Sequence, residues 1–510
     1  MLSMTSRFQI CVALPSLALC AAWTLAVNVG CLAVAQESKP AAPAKEESWQ
    51  VIYLSGQRIG FAHSVTETVK QDGRDVVRTS SDSHMTIKRF GQSLVMKQTV
   101  ATEESSDGDL FNFRYEMANP PATSTSTKGK VEGKELKLVQ TVNGKPKESV
   151  QVWRPEVKSP AYQDRVLKSS PLKPGETRSF EAFMPDFGKV ATIKLVAVDF
   201  EDAALLDGKK QRLLKVKLTQ SLVPGLVLNG WVDNKGETLK SSTNMLGVEL
   251  ETYQVVKDEA LKAIEGAELD LAVSTLVKVK RILNAHETKK IVYLVTTLGQ
   301  NPEDALPSGG NQTVKKTGVE TGELTITAAP IPDRATLQPV AAEFTAASQY
   351  LQRDDELVQD HAKKAAGDAT DPAQIARRME QYVQKTLTKK DFSTAMASAG
   401  EVAKTLQGDC TEHAVLLAAM LRVKGIPSRV AVGLVYVDSL SAFGGHMWTE
   451  ANLNGQWIPL DATLGRGGTG AAHIKLSDSS LSDDGPAAIS SFAPLMLVIG
   501  QLKIDVKSVE

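Results

Sequence analysis

The run Gly408-Asp409-Cys410-Thr411-Glu412-His413-Ala414 constrains this chain more than any other stretch. Asp409, followed three residues later by Glu412, is capping-box chemistry with aspartate in the place usually held by Ser or Thr. Ala414 to Leu421 then reads AVLLAAML, apolar on every side, which requires a helix buried all round. Gly425 and Pro427 stop it. Cys410 therefore falls in the first turn, where the unpaired N–H groups and the helix dipole favour an anion. A thiol placed there loses its proton more readily, and its own N–H can serve an oxyanion. Taken alone, a small buried cysteine at a helix start is the simpler reading. The residues downstream change it.

Ser428 to Val437, SRVAVGLVYV, reads as a strand of small and β-branched residues. After a loop ending in Gly444-Gly445, the runs His446 to Leu453 and Gln456 to Asp461 flank Asn454-Gly455, the strongest short hairpin signal. A two-residue turn fixes the register. Leu453 faces Gln456, and counting back sets Trp448 opposite Asp461. His446 shares the face of Trp448, so imidazole and carboxylate become diagonal neighbours, about 7 Å apart at Cα. Pro459 faces Glu450 at a non-hydrogen-bonded position, where its missing N–H does no harm. Met447, Ala451, Leu453, Ile458 and Leu460 take the other face and pack, which leaves the His446 side for chemistry. The competing reading is a solvated surface pair.

Together these residues resemble the transglutaminase-like superfamily. GDCTEHAVLLAAMLRVKGIPSRVAVGL looks like its nucleophile segment, and GGHMWTEANLNGQWIPLDATLG looks like its His and Asp segments, in the family's order. The likeness runs from about Pro339 to Gly465. It implies a papain-related domain in which the cysteine helix packs on an antiparallel sheet. It also implies that Cys410 is the nucleophile, His446 its base and later acid, and Asp461 the orienting carboxylate. A thiolate would attack a carboxamide or peptide carbonyl and form an acyl-thioester; water then gives hydrolysis, and an amine gives crosslinking or transfer. The family includes transglutaminases, peptidases, glycan-removing amidases and members without the triad. This chain keeps all three positions. No calcium-site pattern and no cofactor motif is visible, and no upstream residue identifies itself as a second oxyanion donor.

Two rival readings remain open. Cys410, His413, His446 and Asp461 are chemically acceptable zinc ligands, although helix packing or a hydrogen bond suits His413 better and the preferred reading has no metal. Alternatively, the chain is a non-enzymatic binding or scaffold protein in which the β-rich region does the work.

The 510 residues allow two or more domains. With 58 basic against 59 acidic residues, nothing in the charge total suggests a nucleic-acid partner. Arg7 is the only charge before Ala35, and Ala33-Val34-Ala35 fits a small-residue cleavage site, so residues 1–35 read as a signal peptide. Export to the periplasm or beyond follows. The rival is an uncleaved anchor, which would be the chain's only attachment to a membrane. Cys11, Cys20 and Cys31 leave with that segment. Cys410 is then the sole remaining thiol, a liability in an oxidising compartment unless buried or used. Peptide or protein amides are the substrates such an enzyme would meet.

Residues 36–48 read as a solvated linker. From 49 to 330 the pattern is β-rich and antiparallel, in one or two sub-domains, with strands at Trp49 to Leu54, Asp75 to Lys88, Gln92 to Thr102, Leu110 to Ala118, Leu213 to Leu218 and Val277 to Ile282. Asp72-Gly73, Asp107-Gly108, Asn143-Gly144 and Asp207-Gly208 punctuate them, and Lys128 to Lys147 reads as a solvated hairpin edge. His63, His84 and His286 read as surface or satisfied-core histidines. A short helix is expected near Asp258 to Glu265. The main boundary is placed at the proline-containing linker Ala328 to Pro332. Helices follow at Pro339 to Leu351, Asp354 to Ala366 and Asp371 to Leu387, within a catalytic domain spanning 331–475. Residues 476–510 read as a loop and a terminal strand that pairs at a sheet edge. The expected class is α+β: a β-rich antiparallel N-terminal region followed by a transglutaminase-like, papain-like domain.

Overall fold

The computed structural model describes residues 45–510 apart from 120–122, 143, 224, 265–269, 393–395 and 484–490. The expected signal segment 1–35 and residues 36–44 of the expected linker lie outside the described residues. The linker's last residues, Lys45 to Ser48, already belong to the first strand, Lys45–Leu54. Among the described residues, no helix is long and apolar enough to cross a membrane. Two compact units are divided after Asp270.

The first unit is built on one antiparallel sheet of fourteen strands. Eight strands, from Lys45–Leu54 to Lys145–Val152, lie side by side in chain order. Six more, from Thr177–Met184 to Val248–Val255, continue from the other side in reverse order, so the first strand also pairs with the last, Trp49 against Val255. Asp72 and Gly73 both take positive φ, as the tight hairpin turn demands. Alternating burial along Arg74–Arg89 and Lys189–Ala204 gives one packed and one wetter face. Leu110, Phe113, Tyr115, Leu136, Leu138, Trp153, Val157 and Phe183 form a core cluster that ties distant strands together. The lysine-rich stretch does form the sheet's outer strands, ending at the exposed edge strand Lys145–Val152. His63 stacks on Trp49 and meets Glu47 at 2.8 Å, and His84 stacks on Phe61. A helix at Tyr162–Ser169 was not foreseen: it is eight residues long and has no side-chain cap to announce it.

The second unit contains the cysteine helix, Cys410–Val423. It packs on a five-stranded sheet whose central strand, Ser428–Val437, lies between Ala442–Leu453 and His473–Ser479, with Gln456–Leu460 and Val277–Lys278 on the outer side of Ala442–Leu453. The helices Glu356–Ala366 and Pro372–Thr386 begin at Asp355 and Asp371, whose carboxylates accept the first free N–H groups. A separate four-stranded sheet joins Lys290–Thr297, Gln312–Lys316 and Thr321–Thr327 to the C-terminal strand Leu502–Val509.

That second sheet explains why the division falls after Asp270 and not near Pro332: Lys290–Thr297 pairs with the chain's last strand, and Thr321–Thr327 and Gln312–Lys316 join the same sheet through it. Three local expectations are corrected. Pro339 to Leu351 forms only a 3-10 turn at Ala342–Phe344, because Ala346 and Thr345 give their carbonyls to the Arg422 and Arg353 side chains. Val277 to Ile282 pairs over only two residues before Tyr436 Oη takes the Ile282 N–H. The tail is not only loop and strand: a helix, Ala493–Val498, precedes the terminal strand Leu502–Val509.

Candidate active site

Cys410 opens the buried helix as expected. Asp409 accepts the Thr411 N–H at 2.9 Å, and Glu412 accepts the Asp409 N–H at 2.9 Å, so the capping box is complete. Gly408 has φ +145°, and a Cβ there would lie 2.4 Å from Glu412 Cβ, so the turn into the cysteine admits only glycine. Glu412 also accepts the Ala397 N–H at 3.0 Å, which fastens the preceding segment over the helix start. Burial, with the charge of Asp409, pushes its carboxyl up to about 8. At the other end, Arg422 donates to Ala346 O, Ser428 O and Ser480 O at 2.7–2.8 Å and holds helix, sheet and tail in one arrangement.

The hairpin register is the one the two-residue turn requires, Leu453 against Gln456 and Thr449 against Leu460, with Asn454 and Gly455 at positive φ. Asp461 stands one residue past its strand, and its Oδ2 lies 2.9 Å from His446 Nε2. Thr449 Oγ1 donates to Ala414 O at 2.8 Å and so bolts the histidine's strand to the cysteine's helix. Gly433, opposite His446, has no room for a Cβ, which would meet Ile474 O at 2.0 Å and Trp448 Cη2 at 2.9 Å. The Trp448 ring thus lies across Gly433, on the sheet face it shares with His446, and stacks beside that imidazole. Cys410, His446 and Asp461 are all fully or nearly fully buried.

Sequence reasoning missed three participants. His473, on the strand His473–Ser479, places its Nε2 2.9 Å from the same Asp461 Oδ2. Thr463 donates its N–H to Oδ1 at 2.9 Å, and its hydroxyl also donates to Oδ1. Glu380 accepts the backbone N–H of Asp461 at 3.0 Å and of Gly467 at 2.7 Å, and burial pushes its carboxyl up to about 8. The alternation His473-Ile474-Lys475-Leu476 was a strand signal; the role of Glu380 had none. Burial opposes ionisation of Asp461, yet the two histidines, His446 foremost, hold its carboxyl well below the usual carboxylate range.

His413 stands apart from this set. Its Nδ1 meets Asp409 O at 2.6 Å and its Nε2 meets Lys390 Nζ at 3.4 Å, so both ring nitrogens are engaged. Burial, helped by Lys390, pushes it down to about 4. It is a helix-packing residue and a poor zinc ligand. His446, Asp461 and His473 have donor atoms within 4.8 Å of one another. An ionised carboxylate can only accept, so both imidazoles present Nε2–H to it, and these hydrogen bonds account for the spacing.

Residues 359–462 match the family model of the transglutaminase-like superfamily. No curated protein matches the chain. Among solved structures it is similar to a candidate cysteine protease from Cytophaga hutchinsonii, at 15% identity and TM-score 0.28, over 44% of this chain and 86% of that one. A β-barrel-like protein from Brucella abortus, of a domain family of unknown function, is similar at 14% identity and TM-score 0.29, over 41% and 95%. A candidate protease from Parabacteroides distasonis is similar at 13% identity and TM-score 0.18, over 72% and 69%.

Proposed function

We propose that the chain is an exported cysteine enzyme that attacks peptide or side-chain amides through an acyl-thioester. Cys410 is the nucleophile. His446, oriented through Nε2 by Asp461, takes the thiol proton on Nδ1 and returns it to the leaving amine. The carbonyl carbon gains the sulfur, the amine departs, and water or a second amine then releases the acyl group. The Cys410 N–H at the helix start is one oxyanion donor. The observation that carries this reading is the buried 2.9 Å pair of His446 and Asp461, on a strand fastened to the cysteine helix. Buried imidazole–carboxylate pairs are costly to keep, and proton transfer is their best-known use.

Iodoacetamide labelling of the intact protein, followed by peptide mass analysis, tests it. Because the sulfur is buried, access sets the absolute rate; the midpoint of the pH dependence is expected to lie below that of an ordinary thiol, and the label is expected to vanish in Cys410→Ala. A screen of acyl donors, reading hydrolysed against amidated products by mass, then assigns the outcome. A Cys410 whose alkylation midpoint is that of an ordinary thiol would refute the reading.

A further inference from the structure

His473 is the group the reaction scheme does not use. It is buried, its Nε2 reaches the carboxylate oxygen that also holds His446, and its Nδ1 has no hydrogen-bond partner among the described residues. Oδ1 of the same carboxylate is taken by Thr463, so Oδ2 is divided between two imidazoles. Trp448 meets the His473 ring edge-on at 5.3 Å and stacks beside His446, so both rings rest on one indole. Among the described residues, the titratable and charged groups near this set include His286, whose ring centroid is 5.8 Å from that of His473, Asp438, which lies 3.7 Å from His286, Arg466, whose charge reaches His286 and Asp438, and Glu380 and His413.

We propose that His473 is a positioning residue of this site, which by donating Nε2–H to Asp461 Oδ2 fixes the carboxylate and limits how much of its charge reaches His446. The proposal rests on the thiol-enzyme reading above. A carboxylate oxygen with two donors is a weaker acceptor to each. With one donor removed, Asp461 is still oriented by Thr463 and by Glu380 through its backbone, and gives its full charge to His446. The imidazolium that accompanies a Cys410 thiolate then becomes more favourable.

The test is the pH profile of Cys410 alkylation by iodoacetamide in the full chain. His473→Leu is expected to move the midpoint to lower pH by about one unit, the scale of a charge-assisted hydrogen bond. His473→Gln, whose amide nitrogen stands where Nε2 stands, is expected to keep the wild-type midpoint. An unchanged midpoint in folded His473→Leu, while His446→Ala alters the profile, overturns the role of His473 alone. A profile indifferent to both substitutions overturns the thiol-enzyme reading and this proposal with it. The wild-type protein gives an independent check if His473→Leu does not fold: nitrogen-15 spectra of its imidazoles are expected to show His473 as the Nε2–H tautomer. The Nδ1–H tautomer, or a stoichiometric divalent metal in the purified chain, would overturn the proposal.

Discussion

Arg78 and Arg422 carry the same charge in opposite surroundings. In the fourteen-stranded unit, Arg78 meets Glu103 at 2.8 Å with its side chain 43% exposed, one of many ion pairs laid across a wet sheet face. In the C-terminal unit, Arg422 is 1% exposed, and its donors go to three backbone carbonyls and a serine. Burial pushes its guanidinium down to about 10. Glu380, Glu412, His446, Asp461 and His473 are buried in the same unit, each with named partners. A buried charge survives only when its neighbours are built around it. The first unit buries charge too, in Arg89 and in Glu104 beside Arg165. What differs is that pairs such as Arg78 and Glu103 lie on its wet face, whereas the buried set of the second unit is gathered around Cys410 and Asp461.

The sharpest way to break this contrast is at the site. His446→Ala is expected to abolish turnover of any acyl donor found in the screen, and Asp461→Asn to lower it about 10³–10⁴-fold, with the fold intact by circular dichroism. Normal turnover in His446→Ala would mean that the buried histidine is architecture. Next in size is Arg422→Ala, which strands the carbonyls of Ala346, Ser428 and Ser480. Chemical unfolding is expected to show a loss of about 3–5 kcal/mol.

These expectations also mark what could be read from the chain. The cysteine helix was legible because its signals are local: Asp409, Glu412 and Gly425 lie within one element and its ends. The His446–Asp461 pair was legible because two residues, Asn454 and Gly455, set the register for everything behind them. His473 was not, since its strand pairs with Ser428–Val437 across a register shift that no turn dictates. Glu380 reaches Asp461 across 81 positions of sequence. The misread helix at Pro339 to Leu351 failed for the same reason: Arg422, far along the chain, takes one of its carbonyls. Local chemistry announces elements; the shell that holds a site comes from elsewhere.

Glu380 sharpens the contrast through pH. Its carboxyl rises from an ordinary 4.5 to about 8 in the folded chain, chiefly through burial. The folded state therefore holds a proton that the unfolded state releases. Its contribution is complete below about pH 4.5, declines as pH climbs and is gone above about 8, on the order of a few kcal/mol in all. Glu412 shifts in the same direction, also to about 8, so the wild-type slope is shared. Glu380→Gln should flatten part of it, while costing about 1 kcal/mol at pH 5 for the lost acceptor to Gly467. Denaturant midpoints from pH 4 to 9 give both numbers, and an unchanged slope would show that Glu380 is ionised where it lies.

The smallest effect is expected at Arg78. Besides Glu103, it reaches Gln71 at 3.0 Å, and both contacts sit at the water's edge. Exposed pairs gain little, because solvent screens the attraction and two long side chains lose freedom to make it. Arg78→Ala should change the unfolding free energy by less than about 1 kcal/mol, and by less still at high salt, with Cys410 alkylation untouched. A loss comparable to that of Arg422→Ala would mean that a half-exposed pair on the sheet's wet face specifies structure as strictly as a buried arginine does, and exposure would no longer separate the two.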